Sequence, residues 1–419
     1  MTPTTQRIET GTHTRGVKES GLLSPTTRKL QPKKSALLIL LGCHLLATVI
    51  AASPAAAADI LMVPRISAGT AYDDNIFMSA TDEESSVIYT VSPSLKVDYD
   101  TLLSEYTFSA DLDILTYTEE SDLNRTNQYY RLDGDSRIKE RWETSLDLRY
   151  YKDTSLNTYL QETGRVVDRV QRDYFDLGGS VAYNLTRVSG VSAGYKYRNA
   201  SYDSDRYSDF DNHRVGLFYY HRLKNQIDRL SIGPSYYHRN NEFNDVDAYA
   251  LRLGWKRDWS EIMQSDASIG ARYNIIKQDN GSEDENWGAV ANFDLTYDGI
   301  ASTTTIQYFH DLRTTAEGAD INVDNFYASY QRYLTERFRI GVFGRIVFSY
   351  KLFDQETDVN DSRYYYLEPR ISYKLTRQLS ISLRYRYQNN VTFRDADEDL
   401  DRDRNTVWLQ LSYGMPFRM

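Results

Sequence analysis

Cationic side chains recur at every second position in several stretches of this chain. Over residues 379–389, Arg384 and Arg386 alternate with Leu383, Tyr385 and Tyr387. Over 189–202, Lys196 and Arg198 alternate with Tyr195 and Tyr197. Successive side chains of a strand point to opposite faces, so each stretch carries one charged and one apolar face. Arg149, Arg214, Arg252, Arg272, Arg345 and Arg370 fall on equivalent faces, against Asp98, Asp111, Asp113, Asp147, Asp294 and Glu368. Such a set supplies weak, repeated electrostatic contacts rather than a nucleophile or a base. Two readings follow: a hydrated path that favours anionic or sugar-like solutes, or charges that pair across strands and hold a shape.

Covalent chemistry has little to stand on. Beyond residue 58 the histidines are His213, His221, His238 and His310, and none lies in a nucleophile or zinc motif. His310-Asp311 is the only pairing that hints at hydrolysis, and no serine constellation accompanies it. We expect no enzyme activity, no catalytic residue, no metal site and no cofactor. The acidic run Asp395-Ala-Asp-Glu-Asp-Leu-Asp-Arg-Asp403 lacks the glycine and the bidentate glutamate of a calcium loop, and reads as a solvated stretch.

A charged face opposite an apolar one needs elements that can keep them apart. Near-regular alternation marks eighteen segments (sixteen if the first pair is misread), near 66–72, 86–99, 104–117, 127–138, 142–151, 173–184, 189–202, 211–222, 228–239, 246–257, 264–277, 285–297, 301–312, 321–333, 337–350, 362–374, 379–389 and 404–417. Their lengths suit tilted strands that cross a bilayer. Short links such as Lys139-Glu-Arg141, Asp298-Gly-Ile300 and Leu375-Thr-Arg-Gln378 alternate with longer acidic ones. Short periplasmic turns and long extracellular loops are the arrangement of an outer-membrane barrel. The expected fold is therefore an all-β, transmembrane antiparallel β-barrel over residues 59–419. A charged side chain facing lipid at the midplane costs about 2–4 kcal/mol, so the charged face must line the lumen. The longest link, 152–172, contains Val166-Val-Asp-Arg-Val170, which is apolar enough to fold inward as a constriction; an exposed loop is the plainer reading.

Composition agrees. The 419 residues include 35 tyrosines, which suit aromatic girdles at two membrane interfaces. A mean hydropathy of −0.59 argues against a helical membrane protein, and a formal net charge of −10 argues against a nucleic-acid partner. Lys33 and Lys34, the apolar run 35–52 and Ala55-Ala-Ala-Ala58 read as a cleaved secretory signal, with cleavage after Ala58 and a polar leader before it. The single cysteine, Cys43, lies inside that signal, so no disulfide is expected afterwards.

The final segment, Thr406 to Met419, alternates Val407, Leu409, Leu411 and Tyr413 with Trp408, Gln410 and Ser412. Its end, Ser412, Gly414, Phe417 and Met419, resembles the terminal signal by which outer-membrane barrels reach their insertion machinery. Met419 stands where an aromatic residue is usual, and Pro416 must sit where no ladder N–H is needed. One hairpin recurs: Tyr183-Asn-Leu-Thr-Arg187 and Tyr373-Lys-Leu-Thr-Arg377 each lead into a Tyr-x-Tyr strand. With Tyr72-Asp-Asp-Asn-Ile-Phe77, these motifs resemble the beta-barrel porin type 2 group. That resemblance implies an outer-membrane channel of a Gram-negative cell that takes part in exopolysaccharide export. A polysaccharide chain, periplasmic export components, membrane lipids and lipopolysaccharide would be its partners. A general or solute-selective diffusion porin is the alternative, and a structural or adhesive barrel a further one. A conducting or gated pore without a globular plug is expected.

Overall fold

The computed structural model describes residues 58–278, 281–352, 360–394 and 398–419; the expected signal segment and residues 395–397 of the acidic run lie outside the described residues. Eighteen long strands follow one another around a closed antiparallel barrel. They begin with β1 (Asp59–Asp73), β2 (Ser86–Asp100), β3 (Ser104–Tyr117), β4 (Arg125–Lys139), β5 (Trp142–Thr154) and β6 (Gln171–Asn184). The middle of the wall is β7 (Ser189–Tyr202), β8 (Phe210–Arg222), β9 (Asp228–Asn241), β10 (Asn244–Ser260), β11 (Met263–Gln278) and β12 (Glu283–Asp298). Then come β13 (Ser302–Thr314), β14 (Asp320–Tyr333), β15 (Phe338–Lys351), β16 (Ser362–Lys374), β17 (Leu379–Thr392) and β18 (Leu400–Gly414).

The ring closes where β1 pairs with β18, Arg65 opposite Gly414 and Asp73 opposite Thr406. Each strand lies within a residue or a few of its expected position, except that β1 starts at Asp59 rather than near residue 66. β18 breaks at Met415 and Pro416 and resumes over Phe417–Arg418, where Phe417 faces Met62. Proline has no N–H to give the ladder, and the break falls where it stands.

Burial is inverted relative to a water-soluble protein. On the outside Ile269 is 64% and Leu251 55% exposed, whereas Arg172 and Arg239 are buried. A broad apolar exterior is unstable in water and stable in hydrocarbon, so the fold is of the outer-membrane type. Closure matters as much: no strand edge of the ring need face lipid with unpaired amides.

Outward tyrosines mark the rim on the side of the long links. Tyr150 Oη donates to Asp173 (2.8 Å), Tyr236 to Asp247 (2.6 Å), Tyr308 to Asp324 (2.8 Å) and Tyr387 to Asp403 (2.8 Å). A ring in the apolar layer with its hydroxyl on a wet carboxylate fits a membrane–water boundary. At the other rim the Leu-Thr turns explain themselves. Thr376 Oγ1 accepts the N–H groups of Gln378 and Leu379, and Thr186 and Thr335 accept the corresponding pair in their own turns. The threonine thereby satisfies amides that a tight reversal leaves without partners.

Candidate functional site: a bridged, arginine-lined lumen

The link between β5 and β6 does not stay outside the barrel. Its helix α1 (Ser155–Thr163) carries Leu156, Tyr159 and Leu160 on one side, the spacing of an apolar helical face. Gly164 ends it in the left-handed conformation (φ +70°), with its N–H on Leu160 O. Leu156 and Leu160 are fully buried with Met78 from the β1–β2 link and with Ile321, Val323, Val347 and Tyr364 of the β14–β16 wall. Polar contacts hold the helix ends. Asn325 Nδ2 and Arg345 Nη1 both donate to Gln161 O (2.9 Å each). Gly164 O accepts from Asn390 Nδ2 (2.6 Å) and Ser362 Oγ (3.0 Å). Arg404, buried against Asp73 (Nε–Oδ1 2.9 Å), reaches Asn157 Oδ1 at 2.8 Å.

A second element turns inward. β13 pairs with β12 only up to His310–Ala291, although both strands continue, and its tip with β14 leans away from β12. At that tip Ala316 takes Tyr159 Oη of α1 as acceptor for its N–H, while its carbonyl accepts the N–H of Ser208 (2.8 Å). Gly318 O accepts from Asn241 Nδ2 (3.0 Å), and Asp320 pairs with the buried Arg239 (2.7 Å). The tip therefore joins α1 to the links and ends of β7–β10. Together they bridge the lumen from the β14–β18 wall to the opposite one. The plainer expectation for link 152–172, an exposed loop, is corrected here: it folds inward, because apolar side chains on α1 gain more by packing on the inner wall than they would in water.

Inside, three carboxylates each hold more than one cation. Asp311 of β13 binds Arg272 (2.7 Å) and Arg214 (3.0 Å) and lies 3.7 Å from Arg252. Asp176 of β6 binds Arg198 (2.9 Å) and Lys196 (3.2 Å). Glu368 of β16 binds Arg386 (2.8 Å) and Arg370 (2.9 Å), with Arg384 near by and stacked over Trp408. Glu162, on the last turn of α1, is within electrostatic reach of Arg172, Arg198, Arg313 and Arg345. Arg313 makes no ion pair among the described residues and lies over the Phe309 ring. The charges pair, but with cations in surplus.

These groups sort the residues singled out from sequence. Arg214, Arg252 and Arg272 meet at one node, Lys196 and Arg198 at a second, Glu368, Arg370, Arg384 and Arg386 at a third. Arg345 serves α1. Asp294 stands apart, accepting from Gln307 Nε2 (2.8 Å). At the chain end Ser412 Oγ accepts from Ser67 Oγ (2.8 Å) and Gly414 N donates to Gln378 O (2.9 Å), while Phe417 and Met419 lie exposed on the outside. The His310-Asp311 pairing dissolves. His310 faces outward to Asp324 (2.8 Å) and Asp311 faces inward, as consecutive strand residues must. Asp176, Arg239, Arg313 and Glu162 were not singled out. The parity of Arg172, Tyr174 and Asp176 on β6 was a usable signal for the first; the others needed the inward folds to be known.

Burial also acts on the phenols of this bridge. It raises Tyr207, whose oxygen accepts the N–H of Asp168 (2.7 Å), to about 12, and Tyr159 well above its ordinary value.

No family model and no curated protein matches this chain, so its likeness to the beta-barrel porin type 2 group rests on short motifs. Solved barrels do match. OccK2 (OpdF) of Pseudomonas aeruginosa in complex with glucuronate is 12% identical, with 85% of this chain and 98% of that chain covered and a TM-score of 0.41. OpdK of the same organism with vanillate is 10% identical, covering 86% and 99%, with a TM-score of 0.41. OccAB2 of Acinetobacter baumannii is 10% identical, covering 86% and 98%, also at 0.41. A likeness of this degree says nothing of what this chain carries. The expected export of exopolysaccharide is nevertheless overturned. In this chain α1 and the β13–β14 tip are packed and hydrogen-bonded across the bore a polymer would have to thread.

Proposed function

We propose that this barrel is a diffusion channel for small anionic solutes across the outer membrane. The observation that carries the reading is the Asp311 node, where one carboxylate is set among Arg214, Arg252 and Arg272 directly within the bridged lumen. Among the described residues three guanidiniums there share this one carboxylate, a surplus of two positive charges. A passing carboxylate or phosphate can take them in turn without meeting a site tight enough to trap it. The bridge narrows the bore, which raises the strength of each contact by thinning the intervening water. A second arrangement that suits this reading is Glu162 of α1 within electrostatic reach of Arg172, Arg198, Arg313 and Arg345.

The test is the reversal potential of refolded protein in a planar bilayer under a salt gradient. Anion selectivity that falls on Arg252→Gln supports the proposal. Cation selectivity, or selectivity untouched by Arg252→Gln together with Arg313→Gln, refutes it.

A further inference from the structure

The repeated Leu-Thr-Arg hairpin has a consequence at the other end of the barrel. Its copy Leu375-Thr-Arg377 makes the β16–β17 turn, a looser copy, Leu334-Thr-Glu-Arg337, makes the β14–β15 turn beside it, and both place an arginine on the same recess. That recess has a volume of about 420 Å³ and is walled by β1 and β14–β18 at the short-turn mouth. Six cations line it: Arg65, Arg337, Arg339, Lys374, Arg377 and Arg384. A seventh, Arg370, also reaches it but is held by Glu368 at 2.9 Å. The remaining lining is serine, threonine, glutamine, a few apolar groups and Tyr333 and Tyr373, with no carboxylate among them. Two of the cations, Arg339 and Lys374, lie over the Tyr333 ring, and Arg384 lies over Trp408 beside the Glu368 node. Ring faces fix a cation's position without cancelling its charge.

We infer that this recess is a binding site for a small polyanion, such as a phosphate ester, a pyrophosphate or a polycarboxylate, entering the periplasm. The inference rests on the proposed anion channel and adds to it the valence of the preferred solute. Cations this close together repel one another, and a single acetate relieves little of that repulsion. An anion of two to four charges relieves most of it and can bridge the two turn arginines. The placement agrees, because the recess is lined by residues of the two short turns as well as of the strands behind them. The Asp311 node then acts as the outer station and the recess as the inner one. Two stations in series, each weak, are what conduction of a charged solute requires.

The probe is inorganic pyrophosphate against wild-type protein and the double variant Arg337→Ala/Arg377→Ala. Both positions are in exposed turns, so the barrel should assemble; heat-modifiable migration checks this. Calorimetric titration in detergent should show pyrophosphate binding more tightly than acetate. The double variant should weaken it by about threefold to tenfold, since exposed charge pairs are worth only a few tenths to one kcal/mol each. The effect should shrink as salt is raised. Unchanged affinity in the double variant overturns the inference, as does equal affinity for acetate. Loss of binding only on Arg252→Gln would move the site to the outer node and overturn it too. Salt-gradient reversal potentials of the same double variant keep the two readings apart. Anion selectivity without pyrophosphate preference leaves the channel standing and removes only the inner site.

Discussion

Leu160→Ala should loosen the bridge without disturbing the barrel. Leu160 and Leu156 are fully buried where α1 meets Ile321, Val323, Val347 and Tyr364. Truncating a buried leucine to alanine costs about 2–5 kcal/mol when the site cannot collapse. Here the loss falls on docking rather than on global folding, because α1 can leave the wall while every strand keeps its ladder. A loss near 3 kcal/mol shifts the docked-to-undocked ratio by about a hundredfold. The four hydrogen bonds to Gln161 O and Gly164 O oppose release, at roughly 1 kcal/mol each. The single variant should therefore flicker, and Leu156→Ala/Leu160→Ala should be mostly undocked. Single-channel recording reads this directly: rare wide openings in the wild type, noisy current in Leu160→Ala, and a steady, larger conductance in the double variant. Circular dichroism and heat-modifiable migration should not change. A double variant with an intact barrel and wild-type conductance would refute the claim that α1 limits the current.

Asp311→Asn removes the one carboxylate shared by Arg214, Arg252 and Arg272, so anion selectivity should rise while the melting temperature falls, consistent with a loss of about 1.5–3 kcal/mol for hydrogen bonds to a charged, half-buried group. Alkaline pH should open the channel: burial raises Tyr207 to about 12 and Tyr159 well above its ordinary value, so both stay neutral when docked and docking is fully favoured below about pH 10. Conductance should be flat up to that point, rise as the pH climbs from there towards 12, and rise less steeply in Tyr207→Phe. Thr376→Ala leaves the N–H groups of Gln378 and Leu379 without their acceptor and should cost about 1 kcal/mol, read as a lower midpoint in denaturant. Deleting Phe417 to Met419 should lower the fraction of heat-modifiable protein in the outer membrane, with accumulation in the periplasm as the accompanying sign.

The wall of this barrel was legible because a strand's two faces are written residue by residue. Leu383, Tyr385 and Tyr387 against Arg384 and Arg386 state which side meets lipid, and no distant contact can change that alternation. Alternating link lengths, and threonines placed to cap the short turns, likewise fix which strand pairs with which, since neighbours in sequence are neighbours in the ring. The bridge is another matter. Leu156, Tyr159 and Leu160 announce an apolar helical face, but only the closed wall supplies the inward-facing Val323, Val347 and Tyr364 on which it packs. Asp311 shows the same limit. Beside His310 in sequence it suggested a catalytic pair, whereas three strands, β8, β10 and β11, bring it Arg214, Arg252 and Arg272. The surplus of charge at this node is a property of side chains that converge across a curved sheet from positions as many as 97 residues apart. Periodicity settles the face of a residue; curvature and closure settle its company.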